Sequence, residues 1–230
     1  MSEFSKKITI VIIYRDRCEQ IADFLVTVPA FLDSRGYDWS IVIAEQCDHS
    51  PFNRGFLINL GYLSGQDIFP NKHFTVFSDV DTYPVDNDMT LDYRGKWGAV
   101  RHIFCGYEEN IGGIVCFDNR IFERINGFPN NLWGWGHEDF AAKRRLMRIK
   151  LEVDRTTTVY RDRPDDQWRF RSFLDHERDT SHRDANQVRA YVDREKISGL
   201  ANMPDYTETR IFLSEKIVRC IYRFSPDLVY

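Results

Sequence analysis

Long hydrophobic runs are missing from this chain of 230 residues. Nothing approaches the ~18 consecutive apolar residues of a helix that crosses a bilayer. The longest run near the start, Ile8 to Tyr14, follows Lys6-Lys7 and is too short for a signal peptide; it is expected to be a buried strand. A dominant charge is missing too. The formal net charge is −4, which gives no general attraction to nucleic acid or to an anionic membrane. Cysteine is scarce and unpatterned: Cys18, Cys47, Cys105, Cys116 and Cys220 are odd in number, widely spaced and form no CxxC. A disulfide scaffold is excluded, and the expectation is reduced thiols in a cytoplasmic protein. Internal repeats and low-complexity linkers are absent as well.

What is present is ordinary globular composition, 43% hydrophobic and 29% charged residues, in a chain long enough to bury a full core. The first half alternates. Residues 8–14 form a continuous β-branched run, as a strand buried on both faces does. A helix is expected over about 17–34, with Ile21, Phe24, Leu25, Val28 and Leu32 on one face. A strand over 39–44, a helix over 52–65 and a strand over 73–78 follow. This order argues for a mostly parallel α/β sheet with helices on both faces. Residues 79–96 have loop composition, 111–117 a strand pattern after a glycine pair, and 118–127 a short helix ending at Gly127. A helix over 137–150 carries basic residues in its later turns. The polar stretch 161–196 is expected to be a loop, and 207–223 returns to a strand pattern. One domain spans 1–230.

Three groups of residues could carry chemistry. Asp79 and Asp81 stand two apart at the end of the third strand, where side chains face the same way. In an open α/β sheet that end is where ligands sit, and paired carboxylates there suit a hard divalent cation bearing phosphate oxygens. A plain turn accounts for the same spacing. Trp133-Gly134-Trp135-Gly136-His137-Glu138-Asp139 joins flat aromatic surfaces to two carboxylates at a helix N-terminus. A sugar site requires such a combination, and packed tryptophans with a capping acid would also produce it. Arg15, Arg17 and Arg54 follow strand ends, where guanidinium groups suit phosphates. His176 and His182 lie in an Arg/Asp-rich stretch where a lone histidine is usually solvated.

Taken in order, these segments resemble the β-1,4-galactosyltransferase family. Ile12-Ile13-Tyr14-Arg15-Asp16-Arg17 resembles its first-strand motif without the usual Pro. Phe52-Asn53-Arg54 with Asn59-Leu60-Gly61, then Phe77 to Asp81 with Tyr83-Pro84, then Gly112-Gly113, continue the match. Asn126 to Asn131 followed by Trp133 to Asp139 is the most specific segment. The resemblance implies a GT-A fold, Mn²⁺ dependence, a UDP-sugar donor, a carbohydrate acceptor and inverting transfer. It also implies that residues 1–84 form the nucleotide-binding part and 85–230 the acceptor- and metal-binding part. Tyr14, Arg15, Arg17, Phe52 and Arg54 would hold uridine and diphosphate, with Asp79, Val80, Asn110 and Gly113 completing the donor side. Trp135 would line both sugar sites, Glu138 would bind the acceptor, and Asp139 would be the catalytic base. Asp81 and His176 would bind the metal.

The chain departs from the family at three points. The positions of the family's further metal ligand hold Phe173 and Arg178, leaving Asp175, His182 or water to complete the shell. Asn110 stands where a Tyr favours galactose and a smaller apolar residue admits N-acetylgalactosamine, so both donors stay open. With no membrane anchor or disulfide pattern, the expectation is a soluble bacterial or viral relative acting on a polysaccharide or glycan. Other readings are the same fold with another UDP-hexose, a non-catalytic sugar- or nucleotide-binding relative, and a metal-dependent phosphodiesterase.

Overall fold

The computed structural model describes residues 3–84, 91–106, 110–134, 136–160, 170–172 and 198–225. The elements in the first part are β1 (Phe4–Ser5), β2 (Lys7–Tyr14), α1 (Cys18–Ser34), β3 (Asp38–Gln46), α2 (Arg54–Ile68) and β4 (Phe74–Asp79). Then come β5 (Thr82–Pro84), β6 (Gly95–Lys96), β7 (Val100–Cys105), β8 (Ile114–Asp118), α3 (Asn119–Arg124) and α4 (Glu138–Arg148). Short strands β9 (Val153–Asp154), β10 (Val159–Tyr160) and β11 (Phe170–Ser172) precede a terminal hairpin, β12 (Tyr206–Phe212) and β13 (Ile217–Phe224).

Nine strands make the main sheet, in the order β10-β7-β8-β4-β2-β3-β13-β12 with β9 also on β7. β2 is central and runs parallel to both neighbours: Ile10 lies opposite Ile41 of β3 and Val76 of β4. Its unbroken β-branched sequence suits a strand covered on both faces, and alternation splits its side chains between two cores. Ile8, Ile10, Ile12 and Tyr14 pack with Phe24, Val28, Phe31 and Leu32 of α1. Val11 and Ile13 pack with Phe56, Leu57 and Leu60 of α2, and Ala142 and Leu146 of α4 share that core. The chain leaves β2 by α1 to one side and returns by α2 to the other side, so the carboxyl end of β2 is the switch point where a crevice opens.

The side chain of Asn53 starts α2 by accepting from the Phe56 amide at 2.9 Å, a helix cap. Gly61 lets the helix lie flat on the sheet, because a Cβ there would overlap Val11.

β2, α1, β3, β4 and α4 are found within two residues of the expected bounds, while α2 runs three residues further and α3 ends three short of Gly127. Four further expectations differ. Residues 100–105, with no element expected, form β7, buried throughout. The strand expected from 111 begins at Ile114, because Gly113 takes a φ of +82° that a strand cannot hold. The loop expected over 79–96 contains β5 and β6. The stretch 207–223 is two antiparallel strands. Of the polar stretch 161–196, only β11, paired to β5, lies within the described residues.

Candidate active site

Of the expected donor residues, Tyr14, Arg15 and Arg17 lie at the carboxyl end of β2 and Asp79 and Val80 at that of β4. Tyr14 ends β2 with its ring buried and its hydroxyl 3.5 Å from the Cys18 thiol; burial pushes that hydroxyl up to about 12. Arg15 donates to the Ser50 carbonyl at 2.8 Å, and its guanidinium lies 5.0 Å from the centre of the Phe52 ring. Asp16 takes a left-handed φ of +53°, turning the chain into Arg17 at the start of α1. Arg17 Nη1 is 3.7 Å from Asp81 Oδ2. It is buried and has no hydrogen-bond partner among the described residues. A buried guanidinium nitrogen left unbonded is costly unless something anionic meets it.

At the end of β4, Val80 turns into the core, so only its backbone is available to a ligand. Asp79 and Asp81 flank it, both partly exposed. Burial and then the charge of Asp79 push Asp81 up to about 6, against the pull of Arg17. A carboxylate held in that state is one that a cation would relieve, and its oxygens are the donors a hard divalent metal takes. Asp81 thus offers oxygen donors of the kind a hard divalent cation takes. Among the described residues no group of three or more His, Cys, Asp or Glu gathers round one point. The further expected donors, His176, Asp175 and His182, lie outside the described residues, as do Phe173 and Arg178.

Arg54, the first residue of α2, joins the two halves of the site. Its Nε donates to Asp79 Oδ1 at 2.9 Å and its Nη1 to Glu138 Oε1 at 3.1 Å. Burial acts against its charge, but Asp79, Glu138 and Asp139 outweigh burial and hold it well above its ordinary value. Glu138 is almost wholly enclosed; burial, then Asp139, push it up to about 7 while Arg54 opposes them. Asp139 is also raised, by burial above all, with Arg54 again opposing. Its Oδ1 accepts from the Phe140 amide at 2.7 Å.

Local sequence places these acids. Gly134, Gly136 and His137 have φ of +78°, +105° and +76°, so the loop coils left-handed into α4; two of the three positions are the glycines such a path favours. The Gly134 amide donates to the Phe52 carbonyl at 2.8 Å, and the Trp133 ring meets Phe224 edge-on at 5.6 Å. Trp135 lies outside the described residues. The asparagines of the motifs act as staples. Asn59 Nδ2 donates to the Phe128 carbonyl at 2.7 Å and to Asn130 Oδ1 at 2.6 Å, and Asn53 Nδ2 donates to the Asn130 carbonyl at 2.6 Å. The loop before α4 is thereby fastened to the start of α2, where Arg54 sits.

Asn110 and Gly113 arrive from the segment before β8. Asn110 Oδ1 accepts from the Gly112 amide at 3.2 Å. A Cβ placed on Gly112 would stand 2.7 Å from Asp139 Oδ2 and 3.6 Å from Asn110 Oδ1. Asn110 and Asp139, distant along the chain, therefore flank one backbone wall. Two side chains that no motif marks hold the carbonyls of this wall. His102 of β7 meets the Gly112 carbonyl through Nε2 at 2.6 Å, and Arg155 donates to the Asn110 carbonyl at 2.6 Å. No local spacing signals either one, and His102 lies on the strand that was not expected.

Two family models match the chain in tandem. The N-terminal region of glycosyl transferase group 7 matches residues 2–93, and the N-terminal domain of galactosyltransferase matches residues 99–164. Xylosylprotein 4-beta-galactosyltransferase of Caenorhabditis elegans is 28% identical over 96% of this chain and 81% of its own length. Beta-1,4-galactosyltransferase 7 of Drosophila melanogaster is 29% identical over 66% of this chain and 48% of its own. The bovine (Bos taurus) beta-1,4-galactosyltransferase 1 is 33% identical over 66% of this chain but 39% of its own. Among solved structures, the catalytic domain of Drosophila beta1,4-galactosyltransferase 7 with xylobiose superposes at a TM-score of 0.78, with 24% identity and coverage of 96% of this chain and 95% of that one. A variant of that enzyme with manganese, UDP-Gal and xylobiose superposes at 0.75, with 25% identity and the same coverage of 96% and 95%.

Proposed function

The chain belongs to the β-1,4-galactosyltransferase family of group 7 glycosyltransferases and has the GT-A fold, and on that footing we propose that it transfers galactose from UDP-galactose to a sugar hydroxyl with inversion. The observation that carries this reading is the Arg54 bridge, which ties the carboxylate beside β4 to the acid pair that opens α4. One guanidinium thus spans the expected donor and acceptor sides.

In this reading the acceptor hydroxyl lies against α4. Glu138 accepts a hydrogen bond from an acceptor hydroxyl. Asp139 takes the proton of the attacking one, and its raised proton affinity suits a base. The acceptor oxygen bonds to the anomeric carbon as the bond to the phosphate oxygen breaks, and UDP leaves with that electron pair. Arg15, Arg17 and Arg54 face the diphosphate, with Tyr14, Phe52, Asp79 and the Val80 backbone at the nucleoside. A divalent cation, Mn²⁺, would be held by Asp81 and His176 and would neutralise charge building on the departing diphosphate. Asn110, Gly113 and Trp135 border the transferred sugar. Residues 1–84 supply the nucleotide side and 85–230 the acceptor side. The site of action in this reading is the cytoplasm, where cysteines as widely spaced as these stay reduced.

The test is to incubate the protein and Mn²⁺ with UDP-galactose or UDP-N-acetylgalactosamine and a panel of β-xylosides and N-acetylglucosaminides. UDP release that depends on acceptor, with a β-linked product by NMR, is expected. Release of UMP, or no acceptor-dependent release from either donor, would overturn the reading.

A further inference from the structure

His102 and Arg155 grip alternate carbonyls of one short segment. His102 is 1% exposed. Its Nε2 is 2.6 Å from the Gly112 carbonyl, so in the neutral ring Nε2 carries the proton and donates it. Its Nδ1 is buried with no hydrogen-bond partner among the described residues. Burial, with the charges of Arg155 and Lys143 adding to it, keeps the ring neutral and holds it down at about 4. Arg155 reaches the same segment, donating to the Asn110 carbonyl at 2.6 Å and to the Cys105 sulfur at 3.3 Å. Asp139 Oδ2 lies 2.7 Å from where a Gly112 Cβ would be.

The geometry points to a positioning role for His102, assisted by Arg155: by pinning the Gly112 and Asn110 carbonyls, the pair fixes the backbone wall against which Asp139 is oriented. A free peptide at Gly112 would rock about its flanking bonds, since glycine tolerates a wide range of backbone angles. The carboxylate in contact with it would rock too. A base displaced by a fraction of an ångström loses rate while substrate binding is kept. Neither residue touches substrate in this arrangement. The inference rests on the proposed base role of Asp139 for its kinetic consequence, although the orientation itself stands apart from it.

Two readouts keep these separable. The first needs no turnover. The Phe140 amide donates to Asp139 Oδ1, so its proton resonance in ¹H–¹⁵N NMR spectra reports where the carboxylate points. In His102→Leu that resonance should move upfield toward its position in Asp139→Asn. In His102→Gln, whose side-chain amide can still donate to the Gly112 carbonyl, it should return to the wild-type position. The second is kinetic: His102→Leu should lower kcat about tenfold with both KM values within about twofold, and His102→Gln should recover most of it. Should His102→Leu not fold, Arg155→Met releases the neighbouring Asn110 carbonyl and carries the same expectation for the Phe140 resonance. An unmoved Phe140 resonance in the folded variant, or a His102→Gln variant no closer to wild type than His102→Leu, would overturn the inference. If the resonance moves as expected while wild type transfers no sugar, the orientation holds and the proposed function fails.

Discussion

Arg54 donates to Glu138 at 3.1 Å across 84 residues of sequence, binding the first turn of α2 to the first turn of α4. The same guanidinium holds Asp79, so removing it takes the shared cation from two carboxylates, one of them, Glu138, almost wholly buried. Arg54→Met should therefore cost about 3 kcal/mol of folding stability, as expected when one partner of a buried ion pair is lost. It should also raise the proton affinity of Glu138 and Asp139 further, because Arg54 lowers both. Urea unfolding at neutral pH checks the first expectation, and an unchanged midpoint would refute it.

Glu138 gives the protein a pH signature. Its folded value, about 7, lies above the ~4.3 of an unfolded glutamate. The native state therefore binds more protons than the unfolded one between these values, and stability falls as pH rises through that window. Glu138→Gln removes this contribution. The stability of wild type minus that of the variant should fall by on the order of 2 kcal/mol as pH rises from about 4 through about 7, and level off about one unit above. A difference that rises or stays level across that window would mean the acid is not raised.

Asp139→Asn should lower turnover by roughly 10²- to 10⁴-fold, the range of a general base, while UDP binding in the presence of Mn²⁺ persists. Turnover close to wild type would remove Asp139 from the role of base.

Asp81→Ala tests the metal. Calorimetric titration of wild type with UDP should show binding in Mn²⁺ that disappears in chelator, and the variant should show the weak chelator-like binding in both. Undiminished Mn²⁺ dependence in the variant would exclude Asp81 as a ligand.

Gly112→Ala places a methyl group 2.7 Å from Asp139 Oδ2, closer than a carbon and an oxygen rest without bonding. Gly112 has no left-handed φ, unlike Gly113, so the substitution spares the backbone and displaces the carboxylate. A fall in kcat of roughly 10- to 100-fold with the melting temperature little changed is expected. Full activity would show that the carboxylate has room to move without consequence.

The parts of this protein governed by nearest neighbours were legible in the sequence. β2, β3 and β4 carry continuous apolar runs because both faces are covered, and α1 shows its buried stripe at helical spacing; both patterns are local. Asp79 with Asp81, and Glu138 with Asp139, stood out because strand ends and helix starts are local features. β7 was hidden by Arg101 and His102 in its interior, residues that argue against a buried strand. They are tolerated because distant partners satisfy them: Asp92 and Thr157 accept from Arg101 at 3.0 and 2.8 Å, and the Gly112 carbonyl accepts from His102. The asparagines of the motifs were visible, but their task of fastening the loop before α4 to α2 was not.

The sequence by itself determined the strand–helix alternation, and with it the crevice where arginines and aspartates would meet. Only the tertiary structure decided which charges share a partner, since Arg54, Asp79 and Glu138 come from three elements whose approach no local spacing encodes. It also decided that Asn110 and Asp139 flank one glycine wall whose carbonyls His102 and Arg155 hold. Those relationships depend on how α2 and α4 pack on one face of the sheet, and packing is settled by the fit of whole surfaces.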